Sequence, residues 1–407
     1  MSSPLPVELR PEQVSDPVDG YTALRREGPL VRVTLPGTQT PVWFATRYED
    51  VKALMHDPRF VRDHRKLPGT NIPNLGEEML AAYGLPLEYT EYLTSLVVLD
   101  GPEHARLRGK VVRAFAMRRI NALRPSIERL ADALVGELAG RDRFDLMADF
   151  AYPLANKAVC DLIGVDEADQ EQMCDWIRQY VSGESPEEIV AGLEGVIGYT
   201  KNLIKRRRDS PNGDLVSEMI ADPDHTTEAE MIAMIFLLIN TGHTPPVLFL
   251  SSALLTLMDH PDQLARLRAE PGLLGNAIQE LLRYTTPVTI GATAYATGDL
   301  EFAGVAVRRG EAVTYGLLAA DHDPDRFDGP ARLDITRTQG TGEPHLAFGG
   351  GAHYCLGAAL AVMQAEISLD RLLLRRDSLR LAVGRDELEY ACWPGEGNHL
   401  VRLPVRI

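Results

Sequence analysis

The stretch from His345 to Ile367, HLAFGGGAHYCLGAALAVMQAEI, limits what this chain can fold into more than any other segment. Gly349, Gly350 and Gly351 form a turn that can approach a flat ligand closely, because no Cβ stands in the way. Cys355 follows, then Gly357, and from Leu356 apolar residues recur at helical spacing (Leu360, Met363, Ile367). A cysteine just ahead of a helix lies in the field of the helix N-terminus, which favours thiolate over thiol. A thiolate on a glycine-rich turn is the donor an iron ion needs, so Cys355 is the candidate metal ligand. Cys160, Cys174 and Cys392 carry no such context and read as small buried hydrophobes. Zinc held by His353 and Cys355 is the competing site, but no C-x-x-C pair accompanies them.

Phe348, Gly351, His353, Cys355 and Gly357 together match F-x-x-G-x-H-x-C-x-G. On these residues the chain resembles the cytochrome P450 family, and the resemblance runs nearly end to end. It implies heme b with Cys355 as its axial thiolate, and a heme-binding loop over 345–357 in which Phe348 and Gly349 also take part. It also implies a mainly α fold with a small β region, as one domain spanning 1–407.

Bulk properties agree with that expectation. No Ser/Gly-rich linker or internal repeat divides the chain, and 45% hydrophobic residues supply a large core. Unpatterned cysteines suit a reducing compartment. The N-terminus, MSSPLPVELRPEQ, has no apolar signal core, and the apolar run Met231 to Ile239 is too short to span a bilayer. A soluble cytoplasmic protein, off the membrane, is expected. The net charge of −16 argues against nonspecific nucleic-acid binding. Against this background RLRGKVVRAFAMRR (106–119) is basic throughout with no acidic residue. The resemblance implies that Arg106, Lys110, Arg113, Arg118 and Arg119 form a docking face for an acidic ferredoxin.

Periodicity predicts helices at YTALRRE, YEDVKALMHD and EEMLAAYG, and then through most of 102–220, with breaks at GRDRFD and SGESPEE. Further helices are expected over 227–258, 260–270 and 273–285. Strand-like alternation marks VRVTLP, PVWFAT and the meander between 288 and 315.

In DGPEHARLR, Asp100 is placed as an N-cap with Pro102 in the first turn, which puts His104 and Arg108 at i and i+4 on one helix face. Two cationic donors side by side suit a carboxylate, and the resemblance assigns them to a heme propionate. By the same resemblance His353 contacts the second propionate, with His345 as a further candidate. The family's usual strand arginine has Ala294 in its place here. Glu280 and Arg283 stand i and i+3 in AIQELLRYTTPV and resemble the family's E-x-x-R helix. That resemblance implies a buried structural triad completed by a second arginine, for which Arg332 is the first choice and Arg326 the alternative.

One segment departs from the family pattern. The helix that crosses the heme usually carries an acid followed by an alcohol, a relay that brings protons to the heme. The aligned stretch here is TGHTPP, with Thr244 where the acid belongs and Pro245 where the alcohol belongs. Pro245 and Pro246 also withdraw the N–H groups that would bond the carbonyls of Thr241 and Gly242. The expectation is a kinked notch lined by those carbonyls and by the hydroxyls of Thr241 and Thr244, with His243 as a third catalytic candidate. Substrate contacts are expected from Val98, Asn240, Thr241, Thr244, Val288, Ile290 and Trp393, in a mostly apolar pocket. Three chemistries remain open: oxygen insertion with protons from water or substrate, hydrogen removal leading to C–C or C–N coupling or desaturation, and peroxide-driven oxidation. The implied enzyme acts on a hydrophobic small molecule of specialised metabolism, such as antibiotic biosynthesis, with ferredoxin and its reductase as electron donors. A heme-binding protein without turnover is the alternative of a different class.

Overall fold

The computed structural model describes residues 6–14, 16, 19–67, 72, 75–82, 84–183, 185–224, 226–338, 344–376, 378–393 and 397–407. The chain divides into two compact units built from interleaved segments, residues 1–82, 259–355 and 389–401 in one, and 83–258, 356–388 and 402–407 in the other. Interleaving explains why no linker marks a boundary in the sequence.

The first unit is organised on a six-stranded sheet ordered Val7–Glu8, Leu30–Thr34, Val42–Ala45, Ala312–Tyr315, Ala294–Ala296, Phe60–Val61. Leu30–Thr34 runs antiparallel to Val42–Ala45, with Leu30 opposite Ala45, and Trp43 pairs in parallel with Val313. These strands are rich in β-branched and aromatic residues, which pack well on a pleated surface. Their side chains feed two clusters, one around Val33, Val42 and Phe44 and the other around Tyr48, Val51 and Val313. The helix Leu274–Thr285 buries Ala277, Ile278, Leu281 and Leu282 and ends at Thr286, whose φ is 28°.

The second unit is helical. It contains Gly101–Val112, Met117–Leu138, Tyr152–Ile163, Gln170–Ser182, Pro186–Asp209, Leu215–Ala221, most of Glu228–Asp259, and Ala358–Leu369. A small sheet joins Arg380–Leu381, Pro404–Arg406 and Phe144–Asp145. The long helix Glu228–Asp259 starts at a reciprocal cap: Glu230 N–H donates to Thr227 Oγ1 (3.2 Å) and Thr227 N–H to Glu230 Oε2 (2.8 Å). By length and composition this helix could cross a membrane, although the apolar run alone had looked too short for that. Two thirds (67%) of its most apolar stretch is buried inside the protein, so its hydrophobicity serves the core.

Candidate active site

The cysteine loop is held by its own backbone. Gly349 N–H donates to the Leu346 carbonyl (2.7 Å), Tyr354 N–H to the Gly351 carbonyl (3.2 Å) and Cys355 N–H to the Phe348 carbonyl (3.0 Å). Gly349 and Gly351 have φ of 67° and 64°, in the left-handed region. At Gly351 a Cβ would also stand 2.6 Å from the Met55 carbonyl oxygen, so only glycine fits. Cys355 is half-buried, and the helix Ala358–Leu369 begins three residues after it. The entry to the loop is fixed by Asp321, a fully buried carboxyl group that accepts from Leu346 N–H (2.7 Å) and from Thr286 Oγ1 (3.0 Å). Burial raises the Asp321 pKa to about 8, while those two hydrogen bonds oppose the rise. His345 is buried, with Nε2 3.1 Å from Gln279 Oε1, and its pKa falls to about 4 through burial and then the Arg283 charge. It is a neutral structural group, whereas His353 and the exposed Tyr354 stand on the loop itself.

Below the loop, Glu280 and Arg283 are both buried and joined by two 2.8 Å bonds, from Arg283 Nε to Oε2 and from Nη2 to Oε1. The third member is Arg337, which corrects the assignment to Arg332. Arg337 Nε lies 3.1 Å from each Glu280 oxygen, and its guanidinium also donates to the Asp328 carbonyl (2.8 Å) and the Arg332 carbonyl (3.0 Å). Arg332 contributes that carbonyl, while its side chain is 71% exposed and pairs with Asp334. Arg326, the alternative, lies over the Tyr48 and Phe327 rings. Both missed groups had weak signals: Arg337 is one of several arginines in PDRFDGPARLDITR, and Asp321 is one of two aspartates in LLAADHD, neither marked by a motif.

In the second unit, the helix Gly101–Val112 places Asp100 at its N-cap, with His104 buried and Arg108 one turn further on, partly exposed. The basic run is less free than its composition suggests. Arg106 pairs with Glu230, Lys110 with Asp222 (2.8 Å) and Arg119 with Glu218. Arg113 and Arg118 are exposed beside the exposed apolar side chains of Val112 and Met117. Three of the five expected docking cations thus have partners within the chain.

The TGHTPP segment also differs from expectation. The helix Glu228–Asp259 runs unbroken through both prolines. Thr241 is exposed, and its hydroxyl donates to the Leu237 carbonyl (2.7 Å), bonding back one turn along its own helix. His243 has no exposed surface. Its Nε2 lies 3.3 Å from Cys174 Sγ and its ring packs 4.8 Å from Tyr152. Burial, with a smaller contribution from the Arg178 charge, lowers its pKa to about 3, so it is neutral and turned into the helix bundle; the catalytic expectation for His243 fails on that geometry. Gly242 packs against Val159, where a Cβ would sit 2.6 Å from Cγ2. Thr244 is buried, with no partner for its hydroxyl among the described residues.

Of the expected substrate contacts, Val98 is 40% exposed and Asn240 and Val288 are partly exposed. Ile290 is buried, packed in the Val33–Phe44 cluster and bridged to Gly316. Trp393 ends the strand Tyr390–Trp393, and its side chain lies outside the described residues. Ala294 is buried in the strand Ala294–Ala296.

The residues present fit a heme. At Gly349 nothing stands within 4 Å of where a Cβ would be, which leaves open space on the loop of a half-buried thiol, the soft donor that a heme iron takes. Comparison with known proteins points the same way. The Cytochrome P450 family profile matches residues 135–379. Cytochrome P450 107B1 of Saccharopolyspora erythraea is 38% identical over 388 residues, covering 94% of this chain and 93% of that protein. The 6-deoxyerythronolide B hydroxylase of the same organism is 32% identical over 377 residues, covering 90% of each. Among solved structures, CxnD, a cytochrome P450 enzyme for C–S bond formation in chuangxinmycin biosynthesis, superposes with a TM-score of 0.84 at 28% identity, covering 100% of this chain and 98% of that one. A profile over more than half of the sequence, and likeness across at least nine tenths of it, lead to one conclusion: the chain belongs to the cytochrome P450 family.

Proposed function

We propose that this P450 monooxygenase, a heme b enzyme with an axial cysteine thiolate, oxidises a hydrophobic small molecule of specialised metabolism without a side-chain acid–alcohol relay. The observation that carries this reading is the arrangement of residues 240–246. Thr241 presents an exposed hydroxyl whose proton is given to its own helix, so it accepts a hydrogen bond from water or substrate. His243 is neutral and buried, Thr244 is buried, and Pro245 has no hydroxyl. Protons therefore enter from solvent or from a polar group of the substrate, which Thr241 orients. Cys355 would ligate the heme iron, and His104, Arg108 and His353 would supply the donors for its propionates. When bound, the heme supplies dioxygen activation and one-electron redox chemistry. The two units are read as one functional domain.

The names of two relatives, the 6-deoxyerythronolide B hydroxylase and the polyketide biosynthesis cytochrome P450 PksS of Bacillus subtilis, support the substrate class. Electrons come singly from a ferredoxin and its reductase, docking on the mixed cationic and apolar face of Val112, Arg113, Met117 and Arg118. A second reading, bond formation without oxygen insertion, is favoured by the absent relay and by the stated activity of CxnD. Mass spectrometry of products formed under isotopically labelled dioxygen decides between them. Label in the product supports insertion; an unlabelled coupled or desaturated product supports the second reading. Neither reductant consumption nor product with any binding substrate would leave only a heme-binding protein.

A further inference from the structure

Gln364 and Ser368 stand i and i+4 on the helix Ala358–Leu369, so their side chains share one face. They are 5% and 1% exposed, and among the described residues neither Gln364 Nε2 nor Ser368 Oγ has a hydrogen-bond partner. A buried polar atom without a partner costs roughly 1–3 kcal/mol, so two on adjacent turns require a reason. Both line a small cavity whose other walls include Leu154, Ala155, Pro246 and Leu250. The cavity has about 10 Å³ of free space, at the edge of the roughly 10–15 Å³ one water needs.

Pro246 supplies the third element. A helical carbonyl points at the nitrogen four residues on, so the Gly242 carbonyl is aimed at Pro246, which has no N–H to offer. Gly242 itself packs on Val159, in the same helix Tyr152–Ile163 that contributes Leu154 and Ala155 to the cavity. A donor at the Pro246 wall would restore the hydrogen bond that the proline removed.

We propose that this cavity is a built binding site for a single internal water, held by Gln364 and Ser368 and donating to the Gly242 carbonyl that Pro246 leaves open. The water takes the place of the absent helical N–H, and it lets the Glu228–Asp259 helix continue through two prolines without a break. Water has the required valence: it donates twice and accepts twice, and two to four polar partners are what a buried water needs. An apolar occupant would leave both side chains unsatisfied. The proposal does not depend on the reaction the enzyme performs.

The test is a high-resolution crystal structure of the holoenzyme, together with Gln364→Leu, Ser368→Ala and Pro246→Ala. In the wild type, one ordered peak is expected within about 2.7–3.2 Å of Gln364 and Ser368. Its site should be lost in the Gln364→Leu/Ser368→Ala double variant. In Pro246→Ala the regained N–H should bond the Gly242 carbonyl, and the water should keep only its contacts to Gln364 and Ser368. A wild-type cavity that is empty, filled by a side chain, or closed by a direct Gln364 bond to protein overturns the proposal. So does a peak that persists unchanged in the double variant. If the double variant does not fold, the wild type and Ser368→Ala structures decide alone, the latter by a weakened or displaced water.

Discussion

The Glu280 network and the TGHTPP turn treat buried polar groups in opposite ways. Around Glu280 every carboxylate oxygen is used: Arg283, Arg337 and the Asp334 N–H converge on it, and Arg283 spends a further donor on the Asp321 and Pro330 carbonyls. Along 241–246 and the helix beside it, the Thr244 hydroxyl, His243 Nδ1, Gln364 Nε2 and Ser368 Oγ have no protein partner among the described residues. A satisfied network holds one geometry, because every alternative leaves a charge unpaired. Unfilled valences are places where water or ligand enters. The chain saturates the scaffold beneath the cysteine loop and leaves polar atoms open along 241–246, the segment proposed above to be completed by solvent or substrate.

The largest effect that sharpens the contrast is at the loop itself. Cys355→Ala should abolish turnover and the thiolate-type absorption band of the reduced carbon monoxide complex; survival of that band would remove Cys355 as the ligand. Next is the network. Arg337→Ala leaves Glu280 short of a partner and should cost about 3–5 kcal/mol in denaturant unfolding. Arg332→Ala, at an exposed pair, should stay within about 0.5 kcal/mol. Equal losses from the two would return the third position to doubt.

That arginine also shows where sequence reasoning stops. The five-position loop motif carried Cys355, and helical spacing carried His104/Arg108 and Glu280/Arg283, because each rests on neighbours in one element. Arg337 reaches Glu280 from 57 positions further along the chain, and no periodicity ranks it above Arg332. For the same reason the sequence could suggest only that Pro245 and Pro246 kink a helix. It could not show that the helix runs on through them, with Gly242 packed on Val159 and His243 on Tyr152. His243 failed as a catalytic candidate because its rotation about the helix axis is set by Cys174 and Tyr152, residues remote in sequence.

Histidine burial gives the comparison a pH axis. His243 and His322 are pushed to about 3, and His345 to about 4, in each case mainly by burial. A group with a depressed folded pKa binds more protons when unfolded, so its contribution is complete above pH 6.5 and is lost as pH falls toward 3–4. Asp321 runs the other way. Its raised pKa means the folded state holds the proton, so stability present below pH 4 is lost as pH rises through about 8. The chain should therefore be most stable between these limits, and His243→Leu should flatten the acid limb of a stability–pH profile. An unchanged limb would mean His243 is not buried neutral in solution. On the proposed docking face, Arg113→Glu with Arg118→Glu should raise the KM for a ferredoxin about tenfold, while chemical reduction of the enzyme stays normal. Equal loss from Arg106→Glu, already paired with Glu230, would spread the docking surface over the whole basic run.

The smallest effect is the most diagnostic for the reactive turn. Thr244 stands where a relay acid would be expected, yet its hydroxyl is buried and unpartnered. Thr244→Val keeps the shape and removes a polar atom that burial penalises, so stability should be unchanged or rise by about 1 kcal/mol. Thr241→Val removes the exposed hydroxyl that bonds Leu237, and should leave stability nearly unchanged while uncoupling reductant consumption from product severalfold. If instead Thr244→Val uncouples the enzyme and Thr241→Val does not, the buried hydroxyl rotates to meet the substrate. The turn would then carry its own relay, through the residue that packing had hidden.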